Sequence, residues 1–137
     1  MVDALACLAM AVYFEARSES FEGQLAVANV VLERVNSRFY PNNVCDVVTQ
    51  GPTNSNGVPR RDRCQFSFYC DGKEEVYYNP EAYKHAEYIA ELAMKGVVYG
   101  PTIGATHYHT VGVNPDWAKD FGYSYQVGTH IFYVDIK

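Results

Sequence analysis

The chain reads Ala9-Met10-Ala11-Val12-Tyr13-Phe14-Glu15-Ala16-Arg17, then Ser18-Glu19-Ser20, then Phe21-Glu22-Gly23-Gln24-Leu25-Ala26-Val27-Ala28-Asn29-Val30-Val31-Leu32-Glu33-Arg34-Val35. Two helices and the break between them are legible in this stretch. Leu5, Leu8, Ala9 and Val12 recur at helical spacing, which predicts a first helix over 3–16. Ser18-Glu19-Ser20 interrupts it and offers a cap for a second helix over 21–37. In that helix Leu25, Ala28, Val31, Leu32 and Val35 are expected to point inward. Glu15 closes an otherwise apolar helix directly after Tyr13 and Phe14. Burial against aromatic rings would raise the pKa of such a carboxyl and keep it protonated long enough to donate. The competing reading is a surface glutamate paired with a nearby arginine.

Outward from this core the pattern changes. A short apolar segment, Val44 to Val48, follows Pro41. Residues 51–64 are rich in Gly, Pro, Asn and Ser and then carry Arg60, Arg61 and Arg63, which reads as a loop. Asn79-Pro80-Glu81 is a cap followed by a proline at the first helical position, and the helix is expected to run to Gly96. Ala105 to Val111 and His130 to Ile136 are rich in Thr, Tyr, Val, Ile and Phe and read as strands. The expectation is an α+β fold, with a helix-rich N-terminal half and a small C-terminal β-sheet. No repeat or linker divides the chain, so residues 1–137 are read as one domain.

Composition narrows the function classes. Of 137 residues, 48% are apolar, enough for a packed core. Aromatic residues make up 15%, with 12 Tyr, 7 Phe and 1 Trp, and tyrosine-rich surfaces suit sugar-binding clefts because the ring is apolar and the hydroxyl is not. The net charge of −5 comes without a basic run. That argues against nucleic acid, whose phosphates need a Lys/Arg footprint, and against an electrostatically bound membrane surface. No apolar run approaches the length of a membrane span. The apolar N-terminus lacks a basic leader and continues into Val12, so it reads as a folded helix with no signal peptide visible.

The four cysteines, Cys7, Cys45, Cys64 and Cys70, form no CxxC pair, which argues against a zinc knuckle. Cys7 lies in the apolar helix and reads as a buried free thiol. The other three allow one disulfide and one leftover thiol. An extended 64–70 segment would hold its two cysteines too far apart to bond, so Cys45 would take one of them unless a turn folds that segment back.

The run from Ala9 to Arg17 and that from Glu22 to Val35 resemble the opening of the SleB/CwlJ-type cell wall hydrolase family. The likeness continues through Tyr40-Pro41-Asn42-Asn43-Val44-Cys45-Asp46-Val47-Val48 and Cys64-Gln65-Phe66-Ser67-Phe68. It resumes at Gly104-Ala105-Thr106-His107-Tyr108-His109, Pro115-Asp116-Trp117-Ala118 and Gly128-Thr129-His130-Ile131-Phe132-Tyr133. The resemblance implies a lysozyme-like, lytic transglycosylase-like domain that cleaves peptidoglycan glycan strands between N-acetylmuramic acid and N-acetylglucosamine. It implies action at the cell wall, in the periplasm or envelope, and a phage-encoded lysin is as compatible as a bacterial enzyme. The family's catalytic acid, the Glu of a Glu-Ala-Arg motif, corresponds to Glu15. Phe14 is a departure, since many members carry a small residue there, and it is expected to narrow the cleft beside the acid.

A two-carboxylate glycosidase needs a second acid across the scissile bond, roughly 5–10 Å from the first. Glu22 reads instead as a residue favouring the positive end of the second helix. A single-acid route needs neither partner nor metal nor other cofactor, and it yields 1,6-anhydromuramic ends. Gln65, Phe66 and Ser67 are candidates for one cleft wall, and Tyr108 and Trp117 for stacking on sugars. Gln24 is a candidate to orient Glu15 or else to cap a backbone group. His107, His109 and His130 raise a rival, a zinc amidase, and a non-catalytic glycan-binding module is a third reading. Monomer is the default expectation.

Overall fold

The computed structural model describes residues 3–50, 66 and 79–135. The loop read over 51–64, the candidates Gln65 and Ser67, and the cysteines Cys64 and Cys70 lie outside the described residues. Helix α1 spans Ala4–Ala16, with the Asp3 carboxylate accepting from the Ala6 N–H at 2.8 Å. Helix α2 spans Phe21–Val35 and is capped by Ser20, whose hydroxyl accepts from the Gly23 N–H. Val44–Val48 forms a short helix, α3, started by Asn43. Helix α4 spans Pro80–Met94, with Asn79 as its cap and Pro80 in the first turn, as the Asn-Pro-Glu signal predicts. None of the described helices is long and apolar enough to cross a membrane.

Three short strands follow: β1 (His107–Thr110), β2 (Tyr123–Val127) and β3 (His130–Val134). They form an antiparallel sheet in the order β1-β3-β2. Strand β2 was not among the expected strands. Its signal is the alternation of Tyr123, Tyr125 and Val127 ahead of Gly128, but only Val127 is buried, so β2 carries little apolar weight. Gly128 turns the β2–β3 hairpin with φ +58°, a left-handed conformation that glycine takes without a Cβ penalty.

The helix α2 is central because two of its faces are apolar. Leu25, Ala28 and Val31 join Leu8, Val12, Tyr13, Val47, Ile89 and Ala90 in the helical core. Ala26, Val27 and Val30 pack against Ala105, Val127 and Phe132 of the sheet side. The inward set expected from sequence describes only the first of these faces. A helix that is apolar nearly all round belongs in the middle of a fold.

The cysteine reading needs correction. Cys7 is not a free thiol but is bonded to Cys45, with Cα atoms 5.2 Å apart. Helix α3 packs on α1 and brings Cys45 to the Cys7 face, a tertiary proximity that spacing along the chain does not reveal.

Candidate active site

Glu15 lies in the last turn of α1, where the chain breaks before α2 and the helix end meets the sheet. Tyr108, at the second position of β1, donates its phenolic hydrogen to Glu15 Oε1 at 2.8 Å. The Tyr108 ring is stacked on Phe132 and meets His130 edge-on, so packing fixes the direction of that hydroxyl. Glu15, Tyr108, Arg34, Phe66, His109, Thr110 and His130 line a cavity of about 150 Å³.

The electrostatics suit an acid. Burial pushes the Glu15 pKa above the ordinary value of 4.5, while the Tyr108 hydrogen bond and the charge of Arg34 pull partly back. Burial dominates, so Glu15 holds its proton to a higher pH than a surface glutamate. Burial and the adjoining Glu15 raise Tyr108 well above its ordinary value, so it stays a hydrogen-bond donor.

Among the other candidates, Phe66 is 1% exposed and lines the cavity. Gln24 does not orient Glu15: its amide donates to the Glu19 carbonyl at 3.1 Å, so it caps the break between α1 and α2. Trp117 packs against His107, His109, Phe121 and Tyr133. Of these only His109 lines the Glu15 cavity, and Trp117 is not among that cavity's described lining residues. Phe14 packs edge-on against Tyr13 within the helical core and is not among the cavity's described lining residues.

The histidine cluster behind the zinc reading divides between two faces. Thr110 of β1 pairs with His130 of β3, and Tyr108 pairs with Phe132, so His130 shares the Tyr108 face while His107 and His109 alternate to the other, although His109 also lines the Glu15 cavity. Both ring nitrogens of His109 are engaged, with the Thr110 carbonyl and the Tyr133 hydroxyl, each at 2.7 Å. His107 meets Thr106 Oγ1 at 2.9 Å and the Tyr40 hydroxyl at 3.4 Å. These are histidines held by protein partners.

Arg34 was not among the candidates. It sits near the C-terminal end of α2, in the sheet-facing row of Val27 and Val30, and is 6% exposed. Its Nε donates to the Thr106 carbonyl at 2.8 Å. Its guanidinium lies 5.0 Å from the Tyr40 ring and 5.3 Å from the Phe66 ring. The signal that finds it is the spacing Val27, Val30, Arg34, which carries the second apolar face of α2 to a charge.

Glu19 and Glu22 do other work. Glu19 accepts from the Thr129 N–H at 2.9 Å and the Thr129 hydroxyl at 2.8 Å, binding the α1–α2 break to the β2–β3 turn. Glu22 is exposed in the first turn of α2, where its charge favours the positive helix end. A second concavity, of about 210 Å³, lies along α2 and residues 96–105. There the Asn29 amide is engaged by backbone, donating to the Val97 carbonyl and accepting from the Tyr99 N–H.

The family model for cell wall hydrolases matches residues 18–133. A spore cortex-lytic enzyme from Halalkalibacterium halodurans is 33% identical over 132 residues, covering 91% of this chain and 33% of that protein. One from Oceanobacillus iheyensis is 34% identical over 131 residues, covering 91% of this chain and 39% of that protein. The chain thus spans roughly a third of the length of these curated relatives. The catalytic domain of the germination-specific lytic transglycosylase SleB from Bacillus anthracis shares the fold with a TM-score of 0.71 at 30% identity, covering 95% of this chain and 93% of that one. The catalytic domain of the Bacillus cereus SleB protein gives a TM-score of 0.68 at 30% identity, with 95% and 88% covered. With this helical half and small antiparallel sheet, and with the match running through nearly every element, the chain belongs to the cell wall hydrolase family.

Proposed function

We propose that this chain cleaves peptidoglycan glycan strands between N-acetylmuramic acid and N-acetylglucosamine as a lytic transglycosylase, with Glu15 as acid and then base. The observation that carries the reading is a single buried carboxyl, hydrogen-bonded by Tyr108, in a cavity whose described lining holds no second carboxylate. Glu15 protonates the glycosidic oxygen as the bond to the anomeric carbon breaks. The carboxylate left behind keeps the Tyr108 hydrogen bond. It then takes the proton of the muramic acid 6-hydroxyl as that oxygen bonds to the same anomeric carbon, which restores the acid. No water enters the products, and no metal takes part.

The similarity to spore cortex-lytic enzymes and to the SleB catalytic domain supports the substrate and the transglycosylase outcome. The Cys7–Cys45 disulfide supports a site of action in an oxidising compartment such as the cell envelope.

Mass spectrometry of fragments released from purified peptidoglycan tests the reading. Fragments should end in 1,6-anhydromuramic acid, about 18 mass units below the hydrolysed product, because intramolecular attack has a large effective concentration advantage over water. Reducing-end muramic acid as the main primary product would reject the route. Glu15→Gln should fold and release nothing above background. Activity should survive exhaustive chelation with EDTA, and its loss with rescue by zinc would favour a metal route.

A further inference from the structure

Arg34 is a buried cation that the reaction above does not use. Its Nε is held by Thr106, its guanidinium carbon lies over the Tyr40 and Phe66 rings, and Nη1 is buried without a hydrogen-bond partner among the described residues. The side chain lines the same cavity as Glu15 yet makes no ion pair with it within 4 Å. A guanidinium so held and left with an unmatched donor suits an incoming acceptor oxygen.

The bound sugars limit which oxygen that is. The anomeric carbon gains positive charge as its bond breaks, so a nearby cation would oppose the reaction if aimed there. Arg34 therefore suits an electron-rich arm of the substrate. Both sugars carry an acetamido group, and N-acetylmuramic acid alone carries a lactyl ether. That arm ends in a carboxylate when free and an amide carbonyl when it bears a peptide, both good guanidinium acceptors.

We infer that Arg34 recognises the lactyl arm of N-acetylmuramic acid and so fixes which sugar sits beside Glu15. The arm's terminal oxygen accepts from the guanidinium, which places the muramic anomeric carbon, rather than that of N-acetylglucosamine, at the acid. A glycan without the arm leaves the buried donor unmatched, so discrimination comes from the unpaired cation as much as from the bond gained.

The inference rests on the peptidoglycan reading, and the test separates the two. The inactive Glu15→Gln protein is titrated with a peptide-free tetrasaccharide of alternating N-acetylglucosamine and N-acetylmuramic acid, and separately with chitotetraose, which lacks lactyl arms. The assigned Nε–H signal of Arg34 should shift with the first sugar and stay in place with the second. Arg34→Lys keeps the charge but loses the planar fork, and should weaken the muramic sugar about tenfold while leaving chitotetraose within about twofold. Should that variant fail to fold, the titration of the protein with Arg34 intact decides alone. If the peptidoglycan reading fails, neither sugar binds. If only the Arg34 inference fails, the muramic sugar binds while the Arg34 signal does not respond, responds equally to both sugars, or Arg34→Lys weakens both alike.

Discussion

Tyr108 lowers the Glu15 pKa through the hydrogen bond to Oε1, against a larger rise from burial. In the proposed route Glu15 must be protonated to donate, so its pKa is expected to set the alkaline limb of the pH–activity profile. Tyr108→Phe removes the lowering contribution and keeps the ring that stacks on Phe132. The alkaline limb of kcat/KM should move to higher pH, and an unmoved or downward-shifted limb would reject Glu15 as the titrating acid. Glu15 also has a stability signature. Its folded pKa lies above the unfolded one, so its contribution to stability is greatest at low pH and is lost as pH rises through the folded value. Glu15→Gln carries no such charge. Its melting temperature relative to the native protein should climb as pH is raised above about 4.5. A gap that is flat with pH would contradict the burial of the carboxyl.

At the scale of elements, the site depends on how α1 ends and how β2 returns into β3. Glu19 fastens these two points together through Thr129. A Cβ at Gly128 would lie 2.5 Å from Glu19 Oε1, and the residue's φ of +58° already disfavours any side chain. Gly128→Ala should therefore cost at least about 1–2 kcal/mol and weaken cleavage, because the turn also positions His130 beside Tyr108. Urea unfolding checks the first and peptidoglycan release the second. The cap of α4 is a simpler case. Asn79 accepts from the Ala82 N–H at 3.1 Å, so Asn79→Ala should cost about 1 kcal/mol, whereas Asn79→Asp should cost little. Strand β2 was missed for a reason at this same scale. Apart from Val127 its side chains are exposed, so pairing with β3 holds it as a strand more than burial does.

For the whole molecule, the Cys7–Cys45 bond joins the start of α1 to α3 across a separation of 38 residues. Closing a loop of that length in the unfolded chain corresponds to about 4 kcal/mol on the chain-entropy account. The Cys7→Ala/Cys45→Ala variant should lose a stability of that order in urea while keeping its bond specificity at low temperature. A variant as stable as the native protein would mean that the bond does not constrain the unfolded chain.

The helices, their caps and the acid at the end of α1 were legible because each depends on residues within a turn or two of one another. Ser20 and Asn79 announce their helices locally, whereas the Asp3 cap emerges only in the structure, and Glu15 stands out as a carboxyl after two rings on an apolar helix. The family resemblance supplied the role proposed for Glu15. Contacts between residues far apart in the chain were decided only by the tertiary structure. Glu15 meets Tyr108 across 93 positions, and Arg34 meets Thr106 across 72. Trp117 and Tyr108 both read as sugar-stacking residues, and of the two only Tyr108 is among the described residues lining the Glu15 cavity. Cys7 reads as a free thiol until α3 packs on α1. Local rules fix where the chain turns, but which distant groups meet depends on how two apolar faces of α2 are shared between the helices and the sheet.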